Sequence, residues 1–262
     1  MQPDRQSGHV LLVGAGPGPA DLMTVRAMRA VESAQALLYD ALVADEVIAL
    51  APPGCVRIQT GKRAGRASMK QDSINRLMLR LARRGLRVVR LKGGDPSIFG
   101  RVGEERAFLN AHGVETEIVP GVTAASAAAA QFGFPLTHRG EARRLLISTA
   151  TVTGGAMTDA GWGAGADPET TLALYMGRDQ VRAVTEALIA QGRDAATPAL
   201  AVENAGHPHA RVIAATLDGL ADALKAAVPE GPVVLLIGDV TARAEVAVAA
   251  PMAFDRRTAV GR

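Results

Sequence analysis

A single cysteine, Cys55, stands among 262 residues, so no internal disulfide can form. A chain that folds without such bridges fits a reducing compartment. No apolar run approaches the roughly 18 residues needed to cross a bilayer. The start, MQPDRQSGH, lacks the basic-then-apolar pattern of an export signal. A cytoplasmic protein with no membrane partner is the expectation. The five histidines are scattered and no His/Cys cluster is spaced to hold a metal, so none is expected. The net charge of +3 is too small to argue for nucleic acid. With 48% hydrophobic and 21% charged residues, the composition is nevertheless that of a folded globular chain.

The first loop is missing something too. GAGPGP, residues 14 to 19, follows the apolar run Val10-Leu11-Leu12-Val13, which is where a dinucleotide-binding loop would lie. The third glycine of that pattern is replaced by Pro19, which cannot provide the free N–H or the close helix packing a pyrophosphate site uses. Asp40, closing the run ALLYD, still falls near the distance of a ribose-binding acid. On these residues alone both readings of the loop remain open.

Short apolar runs alternate with helical patterns through the first half: VLLV, ALLY, VRIQ, RVVRLK and EIVP. That alternation predicts a parallel sheet with crossover helices. Ile74, Leu77, Met78 and Leu81 recur at the spacing of a helix stripe packed on such a sheet. Ligands of such folds bind beyond the carboxyl ends of the strands, where the unusual loops fall: GAGPGP, Tyr39-Asp40, TGKRAGR, LKGGDPSIFG and PGVTAAS. FPLTHRGEARR reads as a linker. Beyond it RLLIS, TLALYM, PALAVEN, RVIAAT and PVVLLIG, with helical stretches near 179–191 and 217–228, predict a second, smaller α/β unit. The expected organisation is 9–134, a linker at 135–143, a second domain at 144–243 and a loosely ordered tail at 244–262. TGGAMTDAGWGAGADPE reads as a glycine-rich surface loop.

From Arg57 to Arg106 there are fourteen Lys or Arg against four Asp or Glu. Arg76, Arg80, Arg83 and Arg84 fit one solvated helix face. Lys62, Arg63 and Arg66 do not, because they lie in a glycine-bounded loop suited to a polyanionic ligand. Gly93, Gly94 and Asp95 offer bare backbone and one acid, with Pro96 fixing the turn.

Taken together, GAGPG, LYD, GKRAG, RLKGGDP, PGVTAASAAAA, PLTHR, LYMG and VEN resemble the tetrapyrrole methylases, and among them the uroporphyrinogen-III C-methyltransferase branch. The resemblance runs over roughly residues 9 to 240. It implies two α/β domains with a cleft between them for S-adenosylmethionine (SAM), S-adenosylhomocysteine as product, no metal, and a homodimer. It implies two successive methyl transfers that convert uroporphyrinogen III to precorrin-2, for cobalamin or sirohaem. Residue by residue, it implies Asp40 as proton acceptor and Lys62 as proton donor. The implied SAM contacts are Pro17, Gly93, Gly94, Asp95, Ile98, Thr123, Ala124, Met176 and Ala205. Arg63 and Arg66 would then clamp substrate carboxylates. Without the resemblance, Thr123 reads as a helix cap and Met176 as core.

The chain departs from the family pattern at Ser97, commonly Phe, at Val102, commonly Gly, and in ISTATVTGG, where the usual Thr-Gly-His is replaced. The rivals are a later-acting sibling methylase, a non-catalytic tetrapyrrole carrier, and an NAD-dependent oxidoreductase, which Pro19 opposes. Fused sirohaem synthases carry an extra N-terminal module. The few residues before Val10 leave no room for one, so methylation alone is expected.

Overall fold

Strands buried on both faces read as continuous apolar runs, and all five runs of the first half form one parallel sheet. The computed structural model describes residues 8–61, 69–150 and 163–246. Strands β1 (Val10–Gly14), β2 (Ala36–Tyr39), β3 (Val56–Gln59), β4 (Val88–Lys92) and β5 (Thr116–Val119) are arranged in the order β3-β2-β4-β1-β5. Successive residues of a strand face opposite sides. Val13, Leu37, Val89 and Leu91 accordingly pack against α1 (Val25–Glu32) and α2 (Asp45–Ala49). Leu12, Leu38 and Val88 pack against α3 (Gln71–Ala82) and α4 (Val102–Ala111). The expected stripe is the buried face of α3, with Ile74, Met78 and Leu81 fully covered. Each such side chain contributes about 1.5–3 kcal/mol on burial.

The remaining runs form a second, mixed sheet. Its strands are β6 (Arg144–Thr149), β7 (Thr170–Tyr175), β8 (Pro198–Glu203), β9 (Arg211–Thr216) and β10 (Val233–Ile237), in the order β6-β7-β10-β8-β9. β6 and β7 are parallel, and the other neighbours antiparallel. β7 and β8 therefore run the same way on either side of β10, and their carboxyl ends share one edge. The period of two is again visible. Leu172, Leu174, Ala199, Ala201 and Leu235 meet α6 (Val181–Ala190) and α7 (Leu220–Ala227). Ala173, Leu200, Val202 and Leu236 meet α5 (Ala124–Gln131) on the other face.

The chain divides into two compact units after Thr123, ahead of the expected boundary at residue 134. The reason is α5, whose buried Ala125, Ala128 and Ala129, with Phe132 and Phe134, pack on the second sheet. With that helix the second unit is not the smaller one. Ala244 is partly buried against the same cluster, and the Glu245 N–H donates to the Phe132 carbonyl at 2.8 Å, so the start of the expected tail is fixed.

At the carboxyl edge of the first sheet three loops meet backbone to backbone. Gly16 and Gly94 exchange hydrogen bonds, the Gly94 N–H donating to Gly16 O at 2.7 Å and the Gly16 N–H to Gly94 O at 3.2 Å. A Cβ on Gly121 would stand 2.3 Å from Gly94 O and 3.0 Å from Gly14 Cα. Both neighbours are backbone and cannot swing aside. Overpacking of this kind costs about 1–3 kcal/mol. Gly121→Ala is therefore expected to lower the melting temperature by several degrees in thermal denaturation; an unchanged midpoint would show that the loops do not touch in solution.

Candidate functional site

The opening loop resolves on one hydrogen bond. Pro19 starts a short 3-10 turn, Ala20–Leu22, where the helix of a dinucleotide fold would begin. The next N–H, that of Ala20, donates to the Glu46 carboxylate at 2.7 Å. A side-chain carboxylate thus occupies the donor that a pyrophosphate would need, and its charge repels phosphate. α1 begins later, capped by Thr24, whose hydroxyl accepts from the Ala27 N–H at 3.1 Å. Glu46 was not legible as a partner of this loop, since nothing local links it to residue 20.

Asp40 stands at the end of β2, half-buried, on the same edge as the glycine loops. Its Oδ1 accepts from the Leu42 N–H at 3.0 Å and its Oδ2 from the Gly93 N–H at 3.2 Å. The predicted acid and the predicted glycine loop are therefore in direct contact. A carboxylate oriented by two backbone donors has remaining lone pairs free to accept a proton.

Asp95 serves the loops first. Its Oδ1 accepts from the Ser97 N–H at 2.7 Å and from the Ser97 hydroxyl, and its Oδ2 from the Gly121 N–H at 2.9 Å. It ties the loop after β4 to the loop after β5. Ser97, where the family has Phe, closes this turn rather than forming an apolar wall. Gly94 has a φ of +68° and no atom within 4 Å of where its Cβ would lie, leaving open backbone. Pro17 and Ile98 are half-buried on the flanking loops.

Beneath the loop lies a charged cluster that the residue reading passed over. Arg90 and Lys92 alternate with apolar residues along β4 and so share the face toward α3 and α4. Glu105 of α4, fully buried, accepts from Lys92 Nζ at 3.0 and 3.1 Å, from Arg90 Nε at 3.2 Å and from Gln71 Nε2 at 3.0 Å. Burial, aided by Arg90, pushes the Lys92 ammonium below its ordinary range, against the pull of Glu105 and Asp40. The signal available in the sequence was two cations two residues apart in a buried run, with an acid on the next helix.

The second sheet gathers its own candidates at one edge. Met176 follows β7 and Ala205 follows β8, whose ends flank the start of β10. Met176 is 51% exposed and held at a φ of +54°, which turns it out of the core it was otherwise read to fill. Ala205 is buried in the cluster that α5 covers, leaving its backbone to make contacts. Ala124 starts α5, and the next N–H, that of Ala125, donates to the Tyr175 hydroxyl at 2.9 Å. Tyr175 thereby links the start of α5 to the end of β7. Thr123, half-buried, is the last residue of the first unit.

Lys62, Arg63 and Arg66 lie outside the described residues, as do positions 151–155 of the ISTATVTGG segment. Among the described residues no group of three or more His, Cys, Asp or Glu could hold a metal ion, and no helix is long and apolar enough to cross a membrane.

With this geometry in hand, known proteins place the chain. The uroporphyrinogen-III C-methyltransferase of Paracoccus denitrificans is 44% identical over 238 residues, covering 91% of this chain and 83% of that one. The siroheme synthase of Xylella fastidiosa is 44% identical over 93% of this chain but only 51% of its own length, so this chain spans about half of that protein. The structure of uroporphyrin-III C-methyltransferase from Thermus thermophilus complexed with S-adenyl homocysteine matches with a TM-score of 0.75 and 40% identity, over 89% of this chain and 93% of that one. The family model for tetrapyrrole (corrin/porphyrin) methylases matches residues 9–221, and the chain belongs to that family.

Proposed function

We propose that the protein is a SAM-dependent C-methyltransferase that converts uroporphyrinogen III to precorrin-2 by two successive methyl transfers, in sirohaem or cobalamin formation. The observation that carries this reading is the contact of Asp40 with the Gly93-Gly94-Asp95 loop, in a chain of this family. The residues suit a sulfonium cofactor. The first edge offers open glycine backbone and carboxylates, and the donor that could have met a phosphate is taken by Glu46.

When bound, SAM supplies an already activated methyl group, so the protein's task is alignment, exclusion of water and transfer of one proton. Asp40, fixed by the Leu42 and Gly93 N–H groups, takes the proton that leaves the methylated macrocycle. Lys62 donates a proton to a macrocycle carbon as another is lost from it, so that each methyl transfer still releases one proton net. Arg63 and Arg66 bind substrate carboxylates, for which paired charge-assisted hydrogen bonds are the strong form of recognition. Pro17, Gly93, Gly94, Asp95, Ile98, Thr123, Ala124, Met176 and Ala205 hold SAM. The working form is a cytoplasmic homodimer.

Anaerobic incubation with uroporphyrinogen III and SAM, followed by mass analysis, is expected to give a tetrapyrrole carrying two added methyl groups. A product without added methyl overturns the assignment. A positioned acid or base is worth about 10² to 10⁴ in rate. Asp40→Asn and Lys62→Ala are therefore expected to slow turnover by that factor while S-adenosylhomocysteine affinity, read by calorimetry, stays near the parent's. Near-normal turnover in both would leave the pair with a bracing role only. Replacing Arg63 and Arg66 together by Ala is expected to raise KM for the tetrapyrrole and spare that for SAM; equal loss of both would make the loop structural.

A further inference from the structure

Two turns at the edge of the second sheet are left-handed, a conformation that Asn tolerates and that most other side chains, Met among them, avoid. Met176 has a φ of +54° and Asn204 a φ of +53°. A left-handed residue costs about 1–2 kcal/mol. Such turns persist only where their surroundings hold them. What holds both is the loop from Val228 to Gly231, between α7 and β10. Behind Met176, Arg178 Nη1 donates to the Pro229 carbonyl at 3.2 Å. Just before Asn204, the Glu203 Oε1 accepts from the Glu230 N–H at 2.7 Å and the Gly231 N–H at 2.6 Å. Its Oε2 accepts from Arg211 Nε at 2.7 Å. The Asn204 N–H donates to Pro232 O at 2.9 Å, and its side chain lies against Gly231, where an added Cβ would fall 2.1 Å from Oδ1.

The far side of the same turn is clamped from α5. Gln131 Oε1 accepts from the Gly206 N–H and Nε2 donates to the His207 carbonyl, both at 2.8 Å. Glu203, at the end of β8, is only 3% exposed. Burial opposes its charge, but the Gly231 N–H, Arg211 and the Glu230 N–H together hold its carboxyl below the usual range, so it is ionised at neutral pH.

We propose that Glu203 is a positioning residue for the cofactor: by anchoring the 228–231 loop it fixes the Asn204–Ala205 turn and, because Arg178 donates to the Pro229 carbonyl of that loop, the Met176 turn. This rests on the reading of Met176 and Ala205 as SAM contacts. It separates cofactor affinity from tetrapyrrole binding, since none of these residues belongs to the basic loop or to Asp40. A role confined to folding would lower the melting temperature and leave the KM values of the folded enzyme alone.

The full-length protein with Glu203→Gln, Gly231→Ala and Met176→Ala, each alone, tests it by calorimetry with S-adenosylhomocysteine and by steady-state kinetics. The amide of Glu203→Gln keeps one acceptor oxygen and loses the charge. Gly231→Ala pushes the Asn204 side chain aside, its Oδ1 and Cγ lying 2.1 and 2.6 Å from the added Cβ, and leaves the Glu203 carboxylate in place, so it tests the turn from its other side should the first variant fail to fold. Loss of a charge-assisted contact in Glu203→Gln, and displacement of Asn204 in Gly231→Ala, are each expected to give about tenfold weaker S-adenosylhomocysteine binding, with a matching rise in KM for SAM. KM for the tetrapyrrole and kcat at saturating SAM are expected within about twofold of the parent's, less than 0.5 kcal/mol by the same conversion. Parent-like affinity in both variants, beside weakened binding in Met176→Ala, overturns the positioning role. Parent-like affinity in Met176→Ala overturns the cofactor reading of that turn, and the proposal with it.

Discussion

Contact between bare backbone at the carboxyl edge of the first sheet is the constraint on which the rest depends. Gly14, Gly94 and Gly121 come from the ends of three neighbouring strands, and each stands where another's Cβ would be. Because β1 lies between β4 and β5, the loops after these strands are brought to one place by sheet order before any side chain contributes. Asp95 then locks the arrangement by accepting from the Gly121 N–H, and Asp40 joins it by accepting from the Gly93 N–H. Two of the three carboxylates at this edge are thus spent on aligning N–H groups, and the third, Glu46, on closing the opening loop. These hydrogen bonds fix the loops on one another, which lowers the ordering cost of binding a ligand.

The charged cluster under β4 serves the same end by a different force. Two cations and one carboxylate with almost no exposure would be costly if any partner were lost, since breaking a buried pair typically costs about 3–5 kcal/mol. The geometry is correspondingly full: Glu105 meets Arg90, Lys92 and Gln71. The cluster retains one positive charge in excess, and Asp40 is close enough to favour the charged form of Lys92. The Lys92 ammonium and the Asp40 carboxylate thus attract across the end of β4, and Asp40 also holds the N–H of the next residue, Gly93.

Legibility followed the range of the interaction. The runs VLLV, ALLY, RVVRLK, TLALYM and PVVLLIG each became a strand, because burial on both faces writes itself into consecutive residues. The stripe on α3 was visible for the same reason. Asp40 and the Gly93–Asp95 loop could be placed on one edge because a parallel sheet puts every strand's carboxyl end there. The ownership of α5 was not visible: an almost all-alanine helix has no stripe to say which sheet it covers, and it covers the second. Met176 read as core because nothing in LYMG announces a left-handed turn. Glu46, Glu105 and Glu203 were missed for a common reason. Each is an acid whose partners lie on other elements, so no window of sequence contains the interaction.

Glu46 also bears on why a loop so close to a dinucleotide fingerprint offers no pyrophosphate cradle. A pyrophosphate site collects unsatisfied N–H groups at a helix start and keeps acids away. Here the helix start is displaced to Val25, and the N–H after Pro19 is given to Glu46. The remaining edge is lined with carboxylates and glycine backbone, an environment that disfavours an anion and tolerates a cation. A single replacement, proline for glycine at residue 19, is compatible with this outcome but does not produce it alone. It removes one donor, and the carboxylate reaching back from α2 takes the next, so that two residues far apart in sequence together leave this turn without the donors a phosphate needs. The positive charge near this edge is set apart in sequence from the loop, paired with Glu105 under β4 rather than offered beside the glycine backbone.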